Sequence, residues 1–235
     1  MDKRNFIWIT GAGSGIGKAL AVNFLEEGYN VFATTRTTEK LSGLKEKYPD
    51  DKLIVAECDV ADYFSIKGAF DFIASDEINI ECLINNAGVT SFSLAEDDDI
   101  ATIENIISTN LLGSIYSIKL ALPSMIENKS GTILNILSVV SKKVFTSASA
   151  YSASKAGLLA YTDSLREEVR KHNIRVVNIF PGATSTPIWD EKALEKYSER
   201  MMKAEDIAKI IVENYKNKNT AVLEEIVLRP VQGDI

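Results

Sequence analysis

The sequence predicts an α/β fold: a doubly wound, three-layer arrangement built on a seven-stranded parallel sheet. Three observations predict it. Short apolar runs alternate with longer amphipathic stretches along the whole chain. Runs such as Leu53-Ile54-Val55-Ala56 are apolar throughout rather than every second residue, as in parallel strands covered on both faces. A glycine-rich turn, Thr10-Gly11-Ala12-Gly13-Ser14-Gly15-Ile16-Gly17, follows the first apolar run and opens the first amphipathic one.

The strands predicted in order are Phe6–Thr10, Asn30–Thr35, Leu53–Glu57, Cys82–Asn85, Thr132–Ser138, Ile174–Phe180 and Glu225–Leu228. The helices between them are Gly15–Glu27, Thr38–Lys47, Asp62–Ala74, Asp97–Glu127, Ser149–Lys171 and Ala204–Asn214. No repeat, low-complexity tract or linker divides the chain, so residues 1–235 are expected to form one dinucleotide-binding domain. The stretch Pro187–Arg200 breaks the alternation and is expected to be a short substrate loop that can act as a mobile lid.

Composition narrows the chemistry. The chain has 26 Lys and Arg against 33 Asp and Glu, a net charge of −7, which is a poor basis for a nucleic-acid binder. With one histidine, His172, and two cysteines, Cys58 and Cys82, neither a multi-histidine nor a cysteine-rich metal site can be built, so no metal is expected. His172 is expected on the surface near a helix end. No run approaches the ~18 apolar residues of a membrane span. The cysteines lack framework spacing, which suits free thiols in a reducing compartment, and a cytoplasmic protein is expected. Chemistry must then rest on Tyr, Lys, Ser, Asp, Glu or a bound cofactor.

The glycine turn lies where backbone N–H groups and the positive end of a helix can hold a pyrophosphate. Its spacing is G-x-x-x-G-x-G, from Gly11, Gly15 and Gly17, with Gly13 incidental to flexibility. No Gly-Lys-Ser/Thr follows, so it is not a P-loop. The second strand ends Thr34-Thr35-Arg36-Thr37, without the carboxylate that an NAD ribose usually meets there. Arg36 is placed to pair with a 2′-phosphate, which favours NADP(H), with NAD(H) possible; Ser14 adds no second cation.

Tyr151 and Lys155 stand at i and i+4, one turn apart on the same helix face. A phenol titrates near ~10, and a neighbouring ammonium is expected to lower that value enough for proton exchange with a hydroxyl or carbonyl. Ser138, at the end of the fifth strand, can hold the substrate oxygen.

With these residues in view, the chain resembles the short-chain dehydrogenase/reductase superfamily in its single-domain, classical form, a Rossmann fold. The resemblance runs from Phe6 to about Pro187. It rests on the glycine turn, Cys58-Asp59-Val60, Asn85-Asn86-Ala87-Gly88, Asn110, Ser138, Tyr151, Lys155, Pro181-Gly182 and Thr186. It implies Tyr151 as general acid/base, Lys155 as its ribose-binding partner, Ser138 as the group orienting the substrate oxygen, and Asn110 as holder of a relay water.

For the cofactor, the resemblance implies Gly11, Ser14, Gly15, Ile16 and Gly17 at the phosphates and Asp59 and Val60 at the adenine. It implies Asn86, Ala87 and Gly88 along the ribose. Pro181, Gly182, Thr184 and Thr186 fall in the loop that closes on the nicotinamide. Some of these have simpler readings. Asp59 can be a helix cap, Asn110 can bend its helix, and the Asn86–Gly88 segment can stabilise a strand exit.

The chain lacks the Gly-Gly pair that often follows the family's last strand, and its ending looks more like the short NADP-dependent reductases and 3-hydroxy acid dehydrogenases. The expected partners are a small carbonyl or alcohol substrate and further copies of the chain, as a homodimer or homotetramer. The small residues Ala148, Ala150, Ala153, Ala156 and Gly157 are expected to let one helix approach another. The expected activity is hydride transfer between nicotinamide and a secondary alcohol or ketone. The alternatives are a non-catalytic dinucleotide sensor on the same fold and an NAD-dependent alcohol dehydrogenase.

Overall fold

The computed structural model describes residues 4–74, 78–217 and 220–235. The strands are β1 (Arg4–Thr10), β2 (Asn30–Thr35), β3 (Leu53–Glu57), β4 (Ile78–Asn85), β5 (Gly131–Ile136), β6 (Ile174–Pro181), β7 (Thr184–Ser185), β8 (Met202–Lys203) and β9 (Glu225–Leu228). The α-helices are α1 (Gly15–Glu26), α2 (Ser42–Lys47), α3 (Tyr63–Ala74), α4 (Ile100–Ile107), α5 (Gly113–Asn128), α6 (Ser149–Val169), α7 (Glu191–Tyr197) and α8 (Ala204–Lys216). Seven strands form one parallel sheet in the order β3-β2-β1-β4-β5-β6-β9. The order reverses between β1 and β4, and in such sheets ligands bind beyond the carboxyl ends of the strands at the reversal.

The three layers follow from the two-residue period of the strands. On β1, Ile7 and Ile9 face a core shared with Leu20 and Phe24 of α1 and Ile207 and Ile211 of α8. Phe6 and Trp8 face the opposite core, with Ile118 and Met125 of α5 and Leu165 of α6. All four β1 side chains have no exposed surface. Burying a side chain of that size contributes about 1.5–3 kcal/mol, so each layer is held by a strong hydrophobic term.

A polar line crosses the second core. Asn85, Asn135 and Asn178 sit in register on β4, β5 and β6. Asn85 donates to Asn135 at 2.9 Å, Asn135 to Asn178 at 3.1 Å, and Asn178 to the Asp163 carboxylate of α6 at 3.2 Å. A one-residue slip would turn these amides away from each other, so the ladder fixes the register and seats α6 on the sheet.

Several elements differ from the sequence expectation. The helix expected over Asp97–Glu127 starts at Ile100, where the Asp99 carboxylate accepts from Thr102 N at 2.8 Å. It is interrupted by a π-helical turn, Ser108–Leu112, that contains Asn110. The expected helix Thr38–Lys47 divides into a 3₁₀ turn, Thr38–Leu41, and α2. The last turn of the expected Ser149–Lys171 helix is also 3₁₀, Arg170–His172, and places half-buried His172 at the helix end. The fifth strand stops at Ile136, which leaves Ser138 to cap a short turn, Val139–Ser141.

The stretch Pro187–Arg200 is not irregular. It carries α7, capped by Asp190, whose carboxylate accepts from Ala193 N at 2.7 Å. It is framed by the small parallel pair β7–β8, which the sequence reading did not anticipate. On α6 and its approach, Ala153 and Ala156 are exposed whereas Ala148 is buried, so Ala148 does not belong to the outward stripe. Among the described residues no helix is long and apolar enough to cross a membrane.

Candidate active site

One cleft of about 750 Å³ opens at the carboxyl ends of β1, β2, β4, β5 and β6. Its first wall is the glycine turn. Gly11 has φ +65°, and a Cβ there would stand 2.7 Å from Ala87 Cα, so only glycine lets the turn pass the β4 exit. Gly17 does not line the cleft. It lies where a Cβ would collide with the Asn86 amide and the Gly11 carbonyl, so it serves the packing of α1 against the turn. Gly13 is not incidental: a Cβ there would lie 2.5 Å from Thr35 Oγ1, so it brings the turn against β2. Ser14 stands at the N-cap of α1, and its side chain makes no hydrogen bond to the helix start. An uncapped N-terminus at the cleft wall fits an anion.

The turn is stitched to β4 by residues whose roles differ from the expectation. Asn86 donates to the carbonyls of Thr10, at 2.9 Å, and Gly11, at 3.1 Å. Thr10 Oγ1 in turn accepts the backbone N–H groups of Asn86 and Ala87. The Asn86 side chain is therefore committed to the protein, although Asn86, Ala87 and Gly88 all line the cleft. Thr10 was missed by the sequence reading; a buried hydroxyl at the strand end, ahead of a glycine turn, was the available signal.

At the far side of the turn, Arg36 lines the cleft together with Lys40, which the sequence reading also missed. Lys40 follows Arg36 by four residues, and a second cation that close in the sequence could have been noticed. Asp59 and Val60 line the same region. The Asp59 carboxylate accepts the Ala61 N–H at 2.9 Å, so it also caps the turn ahead of α3. Cys58 is buried, and desolvation pushes its thiol up to about 11.

Ser138, Tyr151 and Lys155 meet on the second wall. Ser138 Oγ accepts from Val140 N at 3.3 Å, which fixes the serine in its turn. Lys155 is 4% exposed and donates to the Ile136 carbonyl at 2.8 Å. Its Nζ stands 5.9 Å from the centre of the Tyr151 ring. Burial lowers the Lys155 ammonium to about 8. The phenol does not follow the expectation of a lowered value. In this structure desolvation pushes Tyr151 up, and interaction with the Ser138 hydroxyl pulls it back only in part. Two desolvated groups side by side each favour their neutral forms, and an added positive charge in the cleft would lower the phenol.

Asn110 does not line the cleft but stands behind it, fully buried. Its carbonyl oxygen accepts from Val89 N at 2.8 Å; its amide donates to Val89 O and to Ser154 Oγ, both at 2.9 Å. Ser154 Oγ donates to the Tyr151 carbonyl at 2.7 Å. The π turn thus ties the β4 exit to the first turn of α6.

The third wall is Pro181, Gly182, Thr184 and Thr186 with the residues after them. Thr184 Oγ1 donates to Gly182 O at 3.0 Å, and Trp189 Nε1 donates to Thr184 O at 3.0 Å. Trp189 stacks on Phe92 from the loop after β4, with centroids 4.8 Å apart and planes 15° from parallel.

The short chain dehydrogenase family profile matches residues 5–196. A sepiapterin reductase of Chlorobaculum tepidum is 31% identical over 99% of this chain and 98% of its own length. An uncharacterized oxidoreductase of Staphylococcus aureus is 30% identical over 95% of this chain and 96% of its own. Among solved structures, the closed form of a serine dehydrogenase complexed with NADP+ superposes with a TM-score of 0.91 at 27% identity, over 98% of this chain and 96% of that one. The serine dehydrogenase of Escherichia coli gives a TM-score of 0.87 at 26% identity, over 98% of this chain and all of that one. With the sheet order, the glycine turn and the Ser138, Tyr151 and Lys155 wall in agreement, the chain belongs to the short-chain dehydrogenase/reductase family of oxidoreductases, whose members bind nicotinamide cofactors.

Proposed function

We propose that this protein is an NADP(H)-dependent oxidoreductase that interconverts a ketone and a secondary alcohol. The observation that carries the reading is the convergence of Ser138, Tyr151 and Lys155 on one wall of a cleft whose other wall is the uncapped start of α1. The glycine turn would hold the pyrophosphate. Arg36 and Lys40 would take a 2′-phosphate, in a site with no carboxylate at the end of β2. The NADP+ held by the similar serine dehydrogenase supports the same choice. When bound, the nicotinamide supplies the hydride chemistry.

The protein's own groups do the rest. Ser138, fixed by its turn, donates a hydrogen bond to the substrate oxygen and polarises it. Tyr151 gives a proton to that oxygen in reduction and takes it back in oxidation. Lys155, when charged, offsets part of the desolvation that holds the phenol neutral and so assists the phenolate form that oxidation requires. Asn110 holds the first turn of α6 through Ser154 and so positions Tyr151. Pro181, Gly182, Thr184 and Thr186 would meet the carboxamide end of the cofactor.

The test is NADPH oxidation with a panel of ketones, beside Tyr151→Phe. Wild type should turn over at least one ketone. Loss of the phenolic proton donor should lower kcat by roughly 10²–10⁴-fold and leave NADPH affinity within about twofold. A Tyr151→Phe enzyme as active as wild type would overturn the mechanism. NADPH binding without turnover of any carbonyl compound would point instead to a dinucleotide sensor.

A further inference from the structure

Resting on the carbonyl-reducing reading above, we infer that the substrate compartment takes uncharged, apolar ketones and excludes keto acids. The carboxylate of Asp234 is the group that enforces the exclusion.

The charged residues lining the cleft are Arg36, Lys40, Asp59, Lys155 and Asp234. The first three come from the β2 and β3 half, at the end proposed for the adenosine. Lys155 is buried beneath the phenol and already bonded to the Ile136 carbonyl. On the substrate half, Asp234 lines the cleft beyond the catalytic wall beside Ile235, and its side chain is negative. The remaining surface there is mainly apolar and aromatic, from Phe92, Val139, Val140, Phe145, Ile188 and Trp189, with the hydroxyls of Thr90 and Thr146 among them.

Cations do stand near this end, but behind the wall and already engaged. Lys143 Nζ donates to Asp234 at 2.9 Å, and Arg229 Nε donates to it at 3.1 Å with a second contact from its Nη2. Arg200 donates to the Asp234 backbone carbonyl at 3.3 Å. Neighbouring Lys142 pairs with Glu225 at 2.8 Å. Lys142, Lys143, Arg200 and Arg229 are absent from the cleft lining. The Asp234 carboxylate thus already engages the cations a substrate carboxylate would need, and they hold it below the usual carboxylate range, ionised at neutral pH. A keto acid entering this compartment would leave its charge against a largely apolar wall, with the nearby cations Lys143 and Arg229 already engaged by Asp234, a costly arrangement. Asp234 also joins three segments that shape the compartment: the loop after Ser138 through Lys143, the end of β9 through Arg229, and the turn after α7 through Arg200.

The experiment compares methyl benzoylformate with benzoylformate, two compounds of nearly the same shape that differ in charge. Binding to the NADPH-loaded Tyr151→Phe protein is read from quenching of Trp189, the other tryptophan, Trp8, being fully buried in the core. Turnover is read on wild type. The ester should bind at least about tenfold more tightly than the acid, a difference of about 1.4 kcal/mol. Asp234→Asn should narrow that gap at least about threefold by releasing Lys143 and Arg229, with NADPH affinity unchanged. Equal or tighter binding of the acid, an unchanged gap in Asp234→Asn, or binding of neither compound would overturn the inference. Ester bound selectively but not reduced by wild type would leave the inference standing and overturn the hydride-transfer reading.

Discussion

The two walls of the cleft are built in different ways. The wall formed by β1, α1 and the β4 exit is made of backbone: Gly11, Gly13 and Gly17 each stand where a Cβ would strike a neighbour. The opposite wall, from β5 and α6, is made of side chains, with Ser138, Tyr151 and Lys155 placed by a strand end and one helical turn. A backbone wall tolerates no added atom, whereas a side-chain wall tolerates shape and depends on chemistry. Substitutions should separate the two: changes of volume should act on the first, and changes of charge or hydrogen bonding on the second.

The largest effect is expected from Gly17→Ala. The added methyl meets the Asn86 amide and the Gly11 carbonyl, and neither can retreat without opening the turn. Stability should fall by about 2–3 kcal/mol, read by denaturant unfolding, and NADPH binding should fall below detection by calorimetry. Retained binding at wild-type stability would show that the backbone wall gives way as easily as a side chain.

The difference between the walls also explains what was legible in the sequence. Glycine spacing and the Tyr151–Lys155 interval are local patterns, and one helix or one turn fixes their geometry. The seven strands of the parallel sheet were legible from apolar runs for the same reason. What escaped depends on contacts distant in sequence. The Asn85–Asn135–Asn178 ladder becomes visible only once β4, β5 and β6 are in register. The β7–β8 pair and the Phe92–Trp189 stack join segments far apart in the chain. The expectation that Lys155 lowers the Tyr151 pKa was drawn from charge alone and left out the desolvation that both groups undergo in the folded chain.

An intermediate effect is expected from Lys155→Met, with a sign that differs from its effect on catalysis. The buried lysine has a folded value of about 8 against 10.5 in the unfolded chain. Between those values the unfolded chain binds more protons, so the stability of the cofactor-free protein should rise as pH increases from about 8. Tyr151 acts oppositely above 10.0, because its folded value is raised and the folded chain then holds the extra proton. Stability is therefore expected to climb from pH 8 and to level off near pH 10. At neutral pH the full cost of the buried ammonium is about 3 kcal/mol at most. Removing it, while orphaning the Ile136 carbonyl, should stabilise the protein by about 1–2 kcal/mol and abolish turnover. Thermal melts across this pH range would show the rise in wild type and its absence in the variant. A wild-type profile flat from pH 8 to 10 would mean that the lysine is not desolvated as the geometry requires.

The smallest effect, and the sharpest on cofactor choice, is expected from Arg36→Ala. Arg36 and Lys40 belong to the backbone wall's outer rim, where side chains replace N–H groups as the anion-binding elements. Both are exposed, so solvent and salt screen them, and each contributes less than a buried charge-assisted bond would. NADPH affinity should fall about tenfold, NADH affinity should stay within about twofold, and the NADPH loss should shrink as ionic strength rises. Adding Lys40→Ala should weaken NADPH further and again spare NADH. Equal losses for the two cofactors would mean that these cations act on the shared pyrophosphate, and the preference for NADP(H) would then have no residue in this cleft to carry it.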